Sequence, residues 1–408
     1  MVFRFSFLLA ASIAFAAQAA AQPVLTPPAP VGAEPVETSV EGLVADATEY
    51  ARAFAVTPAE ALRRLEAQEA SVALVDRLAE TYRDRLAGVV IEHQPIYRIV
   101  IVVTGAATDT GATETQIETA SFGVPIILRA GAAGTRADAL AAIEQHQADI
   151  RAVVGSPPGM TVDPRTGKLL VLVRPGERHD DDALAARIEA VAHVPVAIGS
   201  WGDIDANLSV EGGGRVVGSN AAEMGQFVCT SGFVVTDGVQ NALSTSAHCP
   251  DTLDFVDRDG TRTPLTMIGA WGARYQDVQI HTTTVPLGPL FHADDLTRAR
   301  TVVTWRNRGS TRAGDFVCHR GLRSGYSCAL VEFVDYAPPG ELCAGPCPAT
   351  WVAVRGPNCH GGDSGGPVFL GSVAFGLVKG DSSQNGVCKL YYYMSTDYLP
   401  PGWLLLHG

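Results

Sequence analysis

No cysteine occurs before Cys229 in this 408-residue chain, and all eight cysteines lie at or after it. The earlier part must therefore fold without cross-links, and the later part is chemically distinct. Positive charge is outnumbered. Asp, Glu, Lys and Arg make up 18% of the residues, the net charge is −13, and no local cluster of Lys and Arg offsets it. Such a surface repels phosphate backbones, so nucleic acid is not an expected partner. Beyond the first 21 residues no apolar run is long enough to cross a bilayer, and no membrane span is expected. The stretch 124–198 holds no concentrated set of catalytic residue types.

What is present begins with an export signal. Arg4 precedes an apolar run from Phe5 to Ala17, and Ala17-Gln18-Ala19 and Ala19-Ala20-Ala21 are small-x-small cleavage sequences. A signal peptide is expected over residues 1–21, and with it a secreted protein, extracellular or periplasmic. No cysteine follows that run, so a lipid anchor is not expected. An even number of cysteines in an exported chain reads as disulfides. Residues 22–45 are rich in Pro and Ala and read as an extended linker.

The length predicts two or three domains. An α+β region is expected over 46–200. Thr57-Pro58-Ala59-Glu60 combines an N-cap, a first-position proline and a capping-box glutamate, and apolar residues then recur at helical spacing to Leu86, with Gly88 as the stop. Ile96 to Val103 reads as a strand. Val124 to Leu128 reads as another, followed by a helix from Thr135 to Val154. Met160 to Val173 reads as a hairpin around Asp163-Pro164-Arg165-Thr166-Gly167. A helix over Asp181 to Ala192 and a strand over Val194 to Ile198 close the unit. His179 beside three aspartates reads as an acidic helix start rather than a metal site. No metal or cofactor is implied. Gly212 to Gly214 form a flexible junction, after which short strands, glycine turns and cysteines predict an all-β domain over 201–408.

The chemistry concentrates in that last part. Gly361-Gly362-Asp363-Ser364-Gly365-Gly366-Pro367 sets a serine among glycines, which suits an exposed nucleophile better than a core. The N–H groups of Gly362 and Ser364 can meet at one point beside the hydroxyl, where an oxyanion would form. A serine needs a base and an orienting group. Ser244-Thr245-Ser246-Ala247-His248-Cys249 offers the base, and a Cys229–Cys249 bridge would staple His248 to the preceding hairpin. Asp277 stands at the head of an apolar alternating strand, where a carboxylate needs a partner. The His248 N–H supplies one. Asp251, Asp254, Asp257 and Asp259 are rivals in a polar, turn-rich stretch. The Gly-x-Ser-x-Gly elbow of α/β-hydrolases is superficially present. In those folds the acid and histidine follow the serine, and here His407 is the one histidine that does.

The order His248, Asp277, Ser364, in the settings Ser-Ala-His-Cys and Gly-Asp-Ser-Gly-Gly-Pro, resembles the chymotrypsin-like serine proteases, and within them the secreted bacterial streptogrisin and α-lytic protease branch. The resemblance runs from about 215 to 395. It implies an all-β domain of two antiparallel six-stranded β-barrels with the site between them. It implies His248 as general base and acid, Asp277 as its orienter, Ser364 as nucleophile, an oxyanion hole at Gly362 and Ser364, and a structural Asp363. It also implies disulfides Cys229–Cys249, Cys318–Cys328 and Cys359–Cys388, leaving Cys343 and Cys347 for a local bridge or half of a zinc site. By the same likeness, 46–200 would be a pro-region that assists folding and is cut away, the protein's own internal partner, and a monomer is expected. The substrate pocket would involve His360, Val378, Lys379 and Gly380, with Asn358 neutral near its base. Lys379 and Asp381 are expected either to pair with each other or for one of them to face substrate. The substrates are peptide bonds, with a lean towards apolar or small side chains.

Overall fold

The computed structural model describes residues 36–106, 113–174, 181–200, 214–218, 227–257, 259–294, 298–384 and 386–408. The signal segment, His179 and the junction from 201 to 213 lie outside them. Among the described residues no helix is long and apolar enough to cross a membrane.

The expected linker gives way to regular structure well before residue 45. Val36–Glu37 pairs in parallel with the strand Ala299–Thr301, and helix α1 (Ser39–Phe54) follows. Thr38 and Glu41 close a reciprocal capping box, a local signal that the Pro/Ala composition upstream obscures. Thr57 caps α2 (Pro58–Ala70), accepting from Glu60 N at 3.2 Å. The carboxylate of Glu60 turns instead to Arg63 and Arg64.

The expected single helix to Leu86 is broken at Ser71. Its buried hydroxyl bonds the carbonyl of Gln68 at 3.0 Å and accepts from Arg312, and α3 (Val72–Thr81) starts afresh. Leu86–Glu92 is a strand. Gly88 is not a helix stop but a point of close approach, where a Cβ would sit 2.5 Å from that of Pro164.

Leu86–Glu92, Arg98–Thr104, Val124–Ala132 and Glu114–Ala120 form a four-stranded sheet in that order. Gly159–Val162, Leu169–Val173 and Val196–Ser200 form a three-stranded one. Helices α4 (Arg136–Val154) and α5 (Asp181–Ala192) pack on the second sheet through Ala139, Ile143, Ile150 and Ile188. Thr135 caps α4 and Gly155, at φ 84°, ends it, bounding the helix expected from Thr135 to Val154.

The C-terminal part is two barrels. In the first, the sheet runs Phe227–Thr230, Arg215–Gly218, Leu253–Val256, Arg262–Trp271, Val278–Thr282, Asn241–Thr245 and Val234–Thr236, with Leu404–Leu405 added at the edge. Its first and last long members are one run bent at Ser231-Gly232-Phe233, so six strands close on themselves. In the second, Val373–Gln384, Pro367–Leu370, Phe316–Gly321, Gly325–Tyr336, Trp351–Arg355 and Val387–Ser395 close directly, since the last pairs again with the first. All four bridges are formed: Cys229–Cys249, Cys318–Cys328, Cys343–Cys347 and Cys359–Cys388.

The N-terminal part and the barrels form one compact unit. Tyr50, Ala61 and Leu65 belong to the apolar cluster that contains Phe316, Phe369 and Trp351. Buried ion pairs cross the same boundary. Arg300, 1% exposed, holds Glu37 at 3.0 Å and Asp46 at 2.8 Å. Asp46 also accepts from Tyr326 Oη and Gly371 N, both at 2.5 Å. Arg312 donates to Gln68 and Ser71, and the Gln68 amide bonds both backbone groups of Phe316.

Three histidines are buried in the protein interior. His93 lies between Tyr50 Oη and the carbonyl of Gly314, at 2.7 Å each, across the same boundary. His281 meets Gln279 and His319 meets Ser324 inside the barrels. Burial pushes each down to about 4 from 6.5. Between those values the unfolded chain binds protons that the folded chain refuses, so stability is full above pH 6.5 and is lost as pH falls towards 4. The urea midpoint of the full-length Ser364→Ala protein should be flat from about pH 7 to 8 and fall steadily below about 6.5. A midpoint unchanged down to pH 4 would contradict the burial of these rings.

Candidate active site

Both barrels contribute to one cluster. His248 lies just after the strand Asn241–Thr245, in a turn closed by Cys249 N donating to Ser246 O at 3.1 Å. Three ties hold that turn. Cys249 is bridged to Cys229. The buried amide of Gln279 donates to Ser246 O at 2.9 Å. Ser246 Oγ donates across to Val378 O of the second barrel at 3.0 Å. The imidazole is left with 33% of its side chain exposed.

Asp277 heads the strand Val278–Thr282 and is 2% exposed. Its Oδ2 lies 2.9 Å from His248 Nδ1, which places the imidazole proton on Nδ1 and leaves Nε2 as the acceptor. Burial alone would push the Asp277 carboxyl up. The charges of His248 and Lys379, with their hydrogen bonds, outweigh burial and hold it well below the usual carboxylate range. The rivals Asp251, Asp257 and Asp259 are exposed, and Asp254 faces Arg262.

Ser364 stands in the tight turn before Pro367–Leu370. Gly365 has φ 89°, and a Cβ there would run into Thr230 O and Thr245 Oγ1, so the turn presses directly on the first barrel. Thr230 N donates to Ser364 O at 2.8 Å, and Thr230 Oγ1 to Gly362 O at 3.2 Å. These bonds draw the carbonyls inward. Among the described residues the N–H groups of Gly362 and Ser364 donate to no protein group. Asp363 accepts from the backbone of His360, Arg323 and Ser324, which fixes the turn.

The Ser364 hydroxyl bonds Lys379 O at 3.3 Å, and among the described residues no hydrogen bond joins it to His248. Of the expected pocket residues, His360 is exposed and Gly380 half-buried. Val378 is buried, with its backbone engaged by Gly365, Gly366 and Ser246. Lys379 corrects the expectation. Its side chain pairs with Asp277 rather than with Asp381. It is buried with Nζ 3.4 Å from Asp277 Oδ2 and 4.9 Å from the centre of the Trp351 ring. Asp381 accepts from Ser383 Oγ at 2.8 Å. The sequence places Lys379 near enough to disturb Asp277, but it gives no signal for the roles of Gln279 and Ser246.

No family model matches the chain, and no curated protein does. Solved structures do. Protease A of Thermobifida fusca aligns at 20% identity over 49% of this chain and 100% of its own, with a TM-score of 0.37. The Nocardiopsis protease aligns at 18% over 48% and 99%, also at 0.37. Cellulomonas bogoriensis chymotrypsin aligns at 18% over 49% and 100%, at 0.35. These bacterial serine proteases are what the chain is similar to, over about half its length, and its described residues from 215 to 405 form the two closed six-stranded barrels that the sequence resemblance implies.

Proposed function

We propose that the chain is a serine endopeptidase, exported as a precursor and cut by itself between its N-terminal part and its barrels. The observation that carries the reading is the 2.9 Å His248–Asp277 bond, together with a glycine-flanked Ser364 whose neighbouring N–H groups donate to no protein group among the described residues. Ser364 Oγ would turn from Lys379 O to His248 Nε2, a side-chain rotation that substrate binding can drive. Its oxygen then adds to the scissile carbonyl carbon as its proton passes to Nε2. The carbonyl oxygen takes the negative charge and meets the N–H groups of Gly362 and Ser364. The C–N bond breaks, and His248 returns the proton to the departing amine. Water repeats the sequence on the acyl ester, releasing the acid and restoring Ser364.

Residues 36–200 fit the part of a folding template. A double barrel is built from non-local pairings that close slowly, and the N-terminal part touches both barrel strands and the loops between them.

A second reading, a protease fold that binds without cutting, draws support from the Ser364 hydroxyl facing Lys379 O and from the cation on Asp277. A fluorophosphonate probe separates the two. Labelling at Ser364, located by peptide mass mapping and lost in Ser364→Ala, supports the enzyme. An unlabelled processed protein supports the binder.

A further inference from the structure

We propose that Lys379 is a positioning residue for the His248–Asp277 pair: it fixes the carboxylate and offsets part of the charge with which Asp277 supports the imidazolium. The inference rests on the enzyme reading given above.

One oxygen carries the case. Asp277 Oδ2 is shared between His248 Nδ1 at 2.9 Å and Lys379 Nζ at 3.4 Å. The cation is not a surface accident. Lys379 is 7% exposed, and its ammonium lies against the Trp351 ring, itself fully buried. The pairing between Val373–Gln384 and Val387–Ser395 slips between Val378 and Gly380, so Lys379 sits on a bulge, a device that re-aims a side chain. Its two ends then touch both partners of the site, with the main-chain oxygen accepting from Ser364 Oγ and the ammonium donating to Asp277.

The residue type is also informative. The chain has three lysines and 27 arginines. Its other buried cations, Arg300, Arg306 and Arg312, are forks that bind two or more oxygens each. Beside Asp277 a compact ammonium reaches one oxygen and leaves the His248 bond in place, which a planar guanidinium would compete with.

Removing this charge makes Asp277 a stronger support for the imidazolium. A histidine that must be neutral to act as base then becomes available only at higher pH. Tyr392, on the second barrel, also faces Asp277; its phenol is pushed up by burial and by Tyr336, Asp277 and Asp381, and a substitution at 379 leaves it in place.

The test is kcat/KM against pH for the wild type, Lys379→Met and Lys379→Arg on one peptide substrate. In Lys379→Met the acid limb should move up by roughly one pH unit, so that kcat/KM on the former limb falls about tenfold while KM changes little. Lys379→Arg keeps the charge, so its limb should stay below that of Lys379→Met, while its guanidinium, competing with His248 for Asp277, should lower kcat. A limb in Lys379→Met that overlays the wild type overturns the inference and leaves Lys379 a packing residue. Failure of the enzyme reading looks different, since the wild type itself then neither cleaves peptide nor takes a fluorophosphonate. Should Lys379→Met not fold, lysine-selective 15N labelling of Ser364→Ala decides. With three lysines, the Lys379 Nζ signal is assignable. It should exchange slowly with water and shift as pH crosses the acid limb. A fast-exchanging, unmoved signal overturns the inference.

Discussion

Ser364→Ala should lower kcat by about a million-fold and leave the full-length chain uncut. The size of the effect follows from what the hydroxyl alone does. It forms the covalent bond, and no neighbouring group in the turn can replace it, since Gly362, Gly365 and Gly366 bring no side chain and Asp363 is spent on three backbone N–H groups. His248 and Asp277 then have no oxygen to activate. A residual rate of about 10³ to 10⁴ over water is expected from substrate binding and from the N–H pair at Gly362 and Ser364, which alanine preserves. The fold is expected to be unaffected, because Ser364 is only half-buried and its backbone bond to Thr230 remains. Two measurements check this: steady-state peptide hydrolysis, and the mass of the purified precursor after prolonged incubation. A precursor still cut in a pure preparation would show that another protease performs the processing.

The parts of this site that were legible in the sequence are those whose physics is local. A serine between glycines, a histidine beside a half-cystine and an acid at the mouth of an apolar strand each need a few neighbours to be understood. The barrels were legible through the family settings of His248 and Ser364 rather than through strand periodicity, which is short and interrupted here. What escaped depends on residues far apart in the chain. Ser71 breaks a helical stripe because Arg312 takes its hydroxyl, and Gly88 is required by Pro164. Asp46 is buried at the end of an apparent linker because Arg300, Tyr326 and Gly371 converge on it. Lys379 reads as a pocket residue until the bulge at that position turns it towards Asp277.

Asp277→Asn should lower kcat by about 10⁴ while leaving KM nearly unchanged. The carboxylate is nearly inaccessible, and it accepts the Nδ1 proton of His248. An amide in its place can donate to Nδ1. The imidazole proton then moves to Nε2, where a donor faces Ser364 and no base is left. In this chain the substitution has a second consequence. Lys379 would keep its ammonium beside Trp351 with no anion, and breaking a buried pair in this way costs about 3–5 kcal/mol. Two effects are therefore superimposed, and a double-mutant cycle separates them. Adding Lys379→Met to Asp277→Asn should restore most of the denaturation midpoint, since the orphaned charge is gone. It should restore none of the activity, since the wrong tautomer remains. Recovery of both together would mean that Asp277 acts through the packing of the cleft rather than through the imidazole proton.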